Sequence, residues 1–167
     1  MKMNVVILTE SELRRAVTID RESVAAIEQV FGRLAEDAVN MPPIMHIEVP
    51  EFDGDVDIKS AYVRGLESFA VKIGAGFFNN YRLGLPNSPA MMVVISAKTG
   101  MAEAILLDNA DIVELGQITA GQRSGRTGED QITICDLTGT GAQDTAIAVL
   151  ALKKAAALGL GRTIAMA

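Results

Sequence analysis

The chain has 167 residues, 49% of them hydrophobic and 22% charged, with a formal net charge of −6. This is enough chain for one globular domain with a real core; the negative charge argues against a nucleic-acid partner, and no apolar run reaches the roughly 18 residues of a membrane span. The single cysteine, Cys135, excludes an internal disulfide framework, and the opening stretch "MKMNVVILTESEL" turns polar too early for a signal peptide, so we expect a cytoplasmic domain that contacts no membrane.

The first forty residues predict one strand and two helices. "VVILT" at 5–9 is a short β-prone run, and Thr9 stands three residues before Glu12, which is the spacing of a capping box at the start of a helix over 10–16. Asp20 is the expected N-cap of the second helix. One apolar helical face follows from the three- and four-residue steps between Val24, Ile27, Val30, Phe31 and Leu34. "NMPPI" then ends the helix, because paired prolines favour extended backbone.

The middle of the chain predicts a run of strands with short connections. The turns carry the motifs "DGD" at 53–55, "RGLE" at 64–67 and "KTG" at 98–100. Five consecutive strands linked in this way indicate an antiparallel meander that is closed or nearly closed. The predicted strands cover 44–49, 56–63, 68–74, 91–97 and 102–107.

The last third predicts a short helix in "DNADIVELGQITAG", which ends at Gly121, and then a polar loop at 122–130. "QITICDL" reads as a sixth main strand that leads into a helix over 142–158. The order of two helices, five strands, helix, strand and helix predicts the α+β class. This order lacks the regular alternation of strands and helices that is typical of a doubly wound sheet.

The stretch "CDLTGTGAQD" resembles a phosphate-binding turn, with Gly139 and Gly141 between a strand and a helix. A dinucleotide unit needs about 30 residues of strand, helix and strand, with an acidic residue about 20 residues past the glycines. Only 26 residues follow Gly141, and none beyond Asp144 is acidic. The favoured interpretation is a tight turn before a docking helix, although its N–H groups could serve an anion brought by another domain.

The sequence contains parts of two metal-binding patterns, but neither pattern is complete. Asp53, Asp55 and Asp57 have the alternate spacing of a calcium loop, but Ile58 and Arg64 stand where the pattern needs glycine and glutamate. His46 is the only histidine, so a histidine-based metal site has no partners for it. His46 is either a structural residue or a ligand contact, and Cys135 in its apolar strand is expected to be buried and inert.

Lys72 in "FAVKIGAGFF" and Lys59 in "VDIKSAY" are the more informative polar residues. A lysine inside an apolar strand must extend to water, pair with an acid or face a polar cavity. If the strands form a barrel, both lysines can point inward to an anionic ligand such as a carboxylate. Outward-facing strand positions are the alternative.

Seven stretches in order carry a resemblance to a known family: "ILTESELRRAV", "MPPI", "FAVKIGAGFFNN", "LGLP", "ISAKTGMAEAILLDN", "ELGQITAGQRSGRT" and "ITICDLTGTGAQDTA". The chain resembles the ornithine cyclodeaminase/mu-crystallin family, in particular its ectoine-utilisation cyclodeaminase-like branch. The resemblance covers nearly the whole chain. It implies an NAD(P)-dependent oxidoreductase that removes an amino group or reduces an imine.

In that family these motifs belong to two separate segments of a chain about twice as long, and an NAD(P)-binding Rossmann domain lies between them. Here Asn109 is followed directly by "ADIVELG", so the resemblance implies a single dimerisation and substrate-binding domain, 1–167, with an N-terminal segment (1–109) and a C-terminal segment (110–167). The resemblance implies that the Rossmann domain is deleted at about 109/110. The catalytic aspartate belongs to the missing domain, so we expect no catalytic residue and no cofactor in this chain.

The resemblance also implies roles for individual residues. Lys72 occupies the position of the strand lysine that binds the substrate carboxylate in the family. Lys59 occupies the position of a second substrate-contacting residue, which is acidic in ornithine-specific members. His46, or Ile44 on the same face, replaces an arginine, and another arginine after "LLDN" is lost. Thr138, Gly139 and Gly141 are a possible remnant of the cofactor site.

Family members dimerise through this domain, so the fold implied is an open or dimer-completed barrel in a homodimer. The leading hypothesis is a Rossmann-less form, natural or engineered, that is inactive alone and retains a site for a small carboxylate or amino acid. The alternatives are a non-catalytic small-molecule-binding or scaffold dimer, and an enzyme whose Rossmann domain is supplied by another chain.

Overall fold

The computed structural model describes residues 4–110 and 139–166. In these ranges the chain has three helices and one eight-stranded sheet, which confirms the predicted α+β class. The helices are α1 (Glu10–Ala16), α2 (Arg21–Ala35) and α3 (Gly141–Ala157), and short 3-10 turns cover Pro50–Phe52 and Asn80–Leu83. The strands are β1 (Asn4–Leu8), β2 (Val39–Asn40), β3 (Met45–Val49), β4 (Gly54–Val63), β5 (Ser68–Phe77), β6 (Ser88–Ser96), β7 (Ala102–Ala110) and β8 (Arg162–Ala165).

The five predicted strands form the predicted antiparallel meander, β3 to β7, but the prediction that it is closed or nearly closed is wrong for the described residues. The strand order is β2-β4-β5-β6-β7-β1-β8, and β3 pairs with β4. Strand β1 pairs in parallel with β7. The two ends of the sheet carry short strands that do not meet, so the sheet does not close on itself.

Four strands of the sheet, β4 to β7, are longer than predicted. Strand β5 continues past Gly74 and Gly76 to Phe77, because its ladder with β4 holds the glycines extended opposite Asp57 and Asp55. Strand β4 begins at Gly54, β6 begins at Ser88, and β7 runs through Ala110. Strands β2 and β8 were not predicted, since four residues or fewer give too little pattern.

Some predictions lie outside the described residues. These are the helix ending at Gly121, the polar loop at 122–130, the strand "QITICDL" with Cys135, and Thr138. The first three residues of "DNADIVELGQITAG", predicted as helix, belong to β7.

The helix starts follow the predicted capping chemistry. Glu12 Oε2 accepts hydrogen bonds from the Thr9 N–H at 2.9 Å and from Thr9 Oγ1 at 2.8 Å. Asp20 Oδ1 accepts the Ser23 N–H at 2.9 Å, and Asp20 Oδ2 accepts from Lys154 Nζ at 2.8 Å. The hydrogen bond from Lys154 holds the pKa of Asp20 well below its usual range and joins the start of α2 to α3.

The helices cover one face of the sheet with an aliphatic core. On α2 the predicted apolar face is only partly buried: Val30 is buried and packs with Ala61 and Val63, whereas Val24 and Phe31 are about half exposed. Those two residues lie at the margins of the helical stripe, outside the contact with the sheet. The larger core cluster consists of Leu8, Ala16, Ala70, Met92, Val94, Ala104, Leu106, Ala148, Ala151 and Ala155.

Helix α3 is fixed to the sheet at its first turns. Gly141 is buried against the backbone of Ser60 in β4, and any Cβ at Gly141 would overlap that backbone. Thr145 is fully buried; its Oγ1 donates to the Ala61 carbonyl at 2.8 Å and accepts the Ala70 N–H at 3.1 Å. Because Ala61 and Ala70 are register partners, this hydroxyl sits within the β4–β5 ladder and ties α3 to both strands.

None of the described helices is both long enough and apolar enough to cross a membrane.

Candidate functional site

A cleft of about 350 Å³ lies on the helix-bearing face of the sheet, beyond the N-terminal end of α3. Core residues fill the same face nearer the middle of the sheet, so the cleft begins where helical cover stops. Its charged lining residues are Asp55, Asp57, Lys59, Lys72 and Asp108. Its small and neutral lining residues are Gly74, Ala75, Gly76, Phe78, Ser88, Pro89, Ala90 and Gly139.

Lys59 and Lys72 are placed together by strand pairing. They are Cα register partners on β4 and β5, so both side chains project from the same face. Lys59 Nζ lies 3.8 Å from Asp57 Oδ2, and Lys72 Nζ lies 3.3 Å from Asp144 Oδ1. The lysine side chains are 12% and 29% exposed respectively, so they face the cleft rather than open solvent. Both side chains therefore lie on the helix-bearing face of the open sheet.

Two glycines open the floor of the cleft. Gly74 and Gly76 alternate with Lys72 along β5 and therefore lie on its face of the sheet. A Cβ at Gly76 would come within 3.0 Å of Asp55 Oδ1, and one at Gly74 would have, among the described residues, only Lys72 Cε nearby, at 3.9 Å. The sequence spacing Lys-x-Gly-x-Gly within a strand could have indicated this floor.

His46 lies at the rim and reaches the cleft only through Asp57. It is the register partner of Asp57, and its Nδ1 is 2.7 Å from Asp57 Oδ1. Its Nε2 is 3.8 Å from Glu48 Oε1, and the ring is about half exposed. The hydrogen bond to Asp57 raises the pKa of His46 above its ordinary value, helped by the charges of Asp57, Asp55 and Glu48 against a smaller opposing cost of desolvation.

Because His46 is the only histidine, its titration can be followed without ambiguity by NMR. We expect a pKa above the ordinary 6.5 in the native chain and a return toward that value in Asp57→Asn, which removes the main cause. A raised pKa in the folded state means that the pair stabilises the fold fully below pH 6.5 and that this stabilisation is lost as pH rises through the raised pKa. Native and variant pKa values that coincide would contradict this assignment.

The glycine turn before α3 has a structural role. Thr140 is the N-cap; its N–H donates to Gln143 Oε1 at 2.8 Å, and its Oγ1 accepts the Gln143 N–H at 3.4 Å. This capping box occupies donors that a phosphate at the helix start would need. Gly141 is packed on β4, and only Gly139 lines the cleft. The capping box thus engages the N–H groups of Thr140 and Gln143 in this turn.

Two important residues were missed by sequence reasoning. Asp144 pairs with Lys72, and Thr145 bridges β4 and β5, although both stand more than 70 positions from their strand partners. The sequence feature that could have indicated them is that Asp144 and Thr145 are adjacent polar residues directly before the Ala-rich apolar stretch of a predicted helix. Within residues 4–108 and 139–166, no three His, Cys, Asp or Glu side chains are grouped closely enough to hold a metal ion.

A second cavity of about 330 Å³ lies between α1, α3 and strands β6 and β7. Its wall is mainly apolar, with Leu13, Met92 and Leu106 among the lining residues, and Asp108 borders both cavities. None of the lysine, histidine or glycine residues singled out in the sequence lines it.

Comparison with known proteins relates the chain to dehydrogenases and cyclodeaminases. The chain is 50% identical over 120 residues to a dehydrogenase-like protein of Rhizobium meliloti and 41% identical over 139 residues to a protein of Sinorhizobium fredii named as a cyclodeaminase. These matches cover 72% and 82% of this chain but only 36% and 42% of the relatives. The chain thus spans less than half the length of both.

Solved structures show the same fold. An archaeal alanine dehydrogenase dimer with bound NAD is 28% identical, with a TM-score of 0.58, over 63% of this chain and 31% of that one. The Thermococcus litoralis Δ1-pyrroline-2-carboxylate reductase, in complex with NADH and L-proline, is 25% identical with a TM-score of 0.59, over 62% and 32% of the two chains. The sequence model of one family matches residues 3–110. The chain belongs to the ornithine cyclodeaminase/mu-crystallin family.

Proposed function

We propose that this chain is the dimerisation and substrate-binding portion of an NAD(P)-dependent family enzyme, and that its cleft binds a small zwitterionic carboxylate such as an amino or imino acid. The observation that carries the proposal is the pair of register-matched lysines, Lys59 and Lys72, over a floor of two glycines. Two ammonium groups beside an open floor suit a ligand carboxylate.

The other charges in the cleft favour a zwitterion over a simple anion. Asp55, Asp57 and Asp108 line the same space as the two lysines, so the acids outnumber the bases. A ligand with one carboxylate and one ammonium can match both signs, whereas a simple anion meets excess negative charge. The L-proline complex of the related reductase is consistent with this ligand class.

Isothermal titration calorimetry tests the ligand class directly. We expect glycine and L-proline to bind, and acetate and methylamine, which each carry one of the two charges, to bind at least about tenfold more weakly because one charged contact is missing. Equal affinity for glycine and acetate would contradict a zwitterion site. No binding of any of the four would contradict the cleft as a site.

We also propose that the chain is catalytically inactive alone, as a Rossmann-less form of the family enzyme. Support comes from the family match, which ends at residue 110, where the sequence predicts the excision. The expected result is no turnover of amino or imino acids with NAD(H) or NADP(H) above a blank. Measurable turnover by the purified chain would overturn this element of the proposal.

A second copy of the chain is the proposed occupant of the outer sheet face. This face, opposite the helices, carries Ser60, Val71, Val93 and Ile105 in one register row and four larger apolar residues in the next row, Ile58, Ile73, Met91 and Leu107. Met91 and Leu107 are 42% and 38% exposed, which leaves an apolar surface suited to a subunit interface. Light scattering should give a dimer mass at micromolar concentration, and a stable monomer would contradict it.

A further inference from the structure

Asp144 lies behind the lysine that faces the cleft. It stands in the first turns of α3, its Oδ1 is 3.3 Å from Lys72 Nζ, and its side chain is only 12% exposed. The second oxygen, Oδ2, is buried and has no hydrogen-bond partner among the described residues. Lys72 is the one cation that pairs with Asp144 among the described residues.

The backbone that carries this carboxylate is anchored. Gly141 packs on the backbone of Ser60, and Thr145, the next residue after Asp144, is hydrogen-bonded to both β4 and β5. These contacts hold the first turns of α3 against the sheet, so the Asp144 backbone stays close to Lys72 when a ligand approaches. A carboxylate that binds Lys72 Nζ must remain within a few ångströms of a second, poorly solvated carboxylate.

We propose that Asp144 is a specificity-determining residue of the cleft, which weakens the binding of a simple carboxylate more than that of a zwitterion. The reason is Coulombic: a buried charge repels the ligand carboxylate and attracts a ligand ammonium, and both effects are stronger here than in water. This inference rests on the proposed binding of a carboxylate by Lys72. Asp144 does not line the cleft itself. It affects the bound ligand through its negative charge and through its ion pair with Lys72.

The test is the affinity of acetate and of glycine for the native chain and for Asp144→Asn, measured by calorimetry. Asparagine keeps the shape and an acceptor oxygen but removes the charge. We expect the acetate affinity to rise about tenfold in the variant, since a like charge a few ångströms away is removed. The glycine affinity should change by less than about threefold, because lost repulsion and lost attraction oppose each other.

Two control variants separate charge from structure. Asp144→Glu keeps the charge and should keep the native ratio of glycine to acetate affinity. Thr145→Val removes a structural hydrogen bond next to Asp144 and should lower the unfolding temperature with little change in that ratio. If Asp144→Asn does not fold, Asp144→Ser removes the same charge and is measured instead.

The possible failures are distinguishable. If Lys72→Met leaves glycine binding intact, the proposed carboxylate site is wrong and the inference falls with it. If Lys72→Met weakens glycine binding while Asp144→Asn leaves the ratio of the two affinities unchanged, the inference alone is wrong. If Asp144→Asn changed the acetate and glycine affinities by the same factor, the inference would also be wrong. Such a result would show a structural effect of the substitution and no discrimination between the ligands by charge.

Discussion

Replacing Lys72 with methionine should weaken glycine binding by about thirtyfold, which corresponds to about 2 kcal/mol for a lost hydrogen bond between charged groups. Methionine keeps most of the length and apolar contact of the lysine stem, but it leaves the buried Asp144 carboxylate without its cation, so the unfolding temperature of the variant is measured alongside. Lys72 is 29% exposed, and this partial exposure to water keeps the expected loss below that of a fully buried pair. Calorimetry with glycine measures the change.

Lys153→Met is the matched control for that substitution. Lys153 is an exposed residue on α3 and does not line the cleft, so its replacement should change the glycine affinity by less than about twofold. A Lys72→Met variant that binds glycine as the control does would remove the basis for the proposed site.

Replacing Gly141 with alanine should lower the free energy of unfolding by about 3 kcal/mol, the upper range for forcing extra atoms into a packed region. The added Cβ would overlap the backbone of Ser60, and a backbone in the middle of a paired strand cannot move aside as a flexible side chain can. Helix α3 would have to lift from β4, which would also strain the Thr145 hydrogen bonds. Urea unfolding monitored by circular dichroism measures the loss.

Gly139→Ala offers a control two residues away in the same turn. Among the residues that the structure describes, a Cβ there would meet only Gln143 Oε1 at 3.6 Å, an ordinary contact. We expect a change in the free energy of unfolding of no more than about 0.5 kcal/mol. If the two alanine variants were equally stable, close packing would not be the reason for glycine at position 141.

Local chemistry in the sequence predicts local structure well. Thr9, Glu12 and Asp20 begin the two N-terminal helices as expected, because capping depends on residues three or fewer positions apart. The position of Lys59 and Lys72 inside apolar strands made them candidates for a polar cavity, with outward-facing positions as the alternative.

Contacts between distant segments of the chain were not predictable in the same way. The parallel pairing of β1 with β7 and the open sheet depend on how the chain crosses between strands, which residue patterns within each strand do not encode. Asp144 reaches Lys72 only because α3 docks at Gly141 and Thr145, and no periodicity connects positions so far apart. On α2, the side chains of Val24 and Phe31 match the apolar period but lie beyond the contact with the sheet.

A crystal structure of the chain with glycine soaked in tests the proposed zwitterion site. We expect a glycine carboxylate within hydrogen-bond distance of Lys72 Nζ above Gly74 and Gly76, with its ammonium toward the acidic wall of Asp55, Asp57 and Asp108. Glycine bound with its carboxylate away from Lys72, or a cleft that stays free of glycine at saturating concentration, would contradict it.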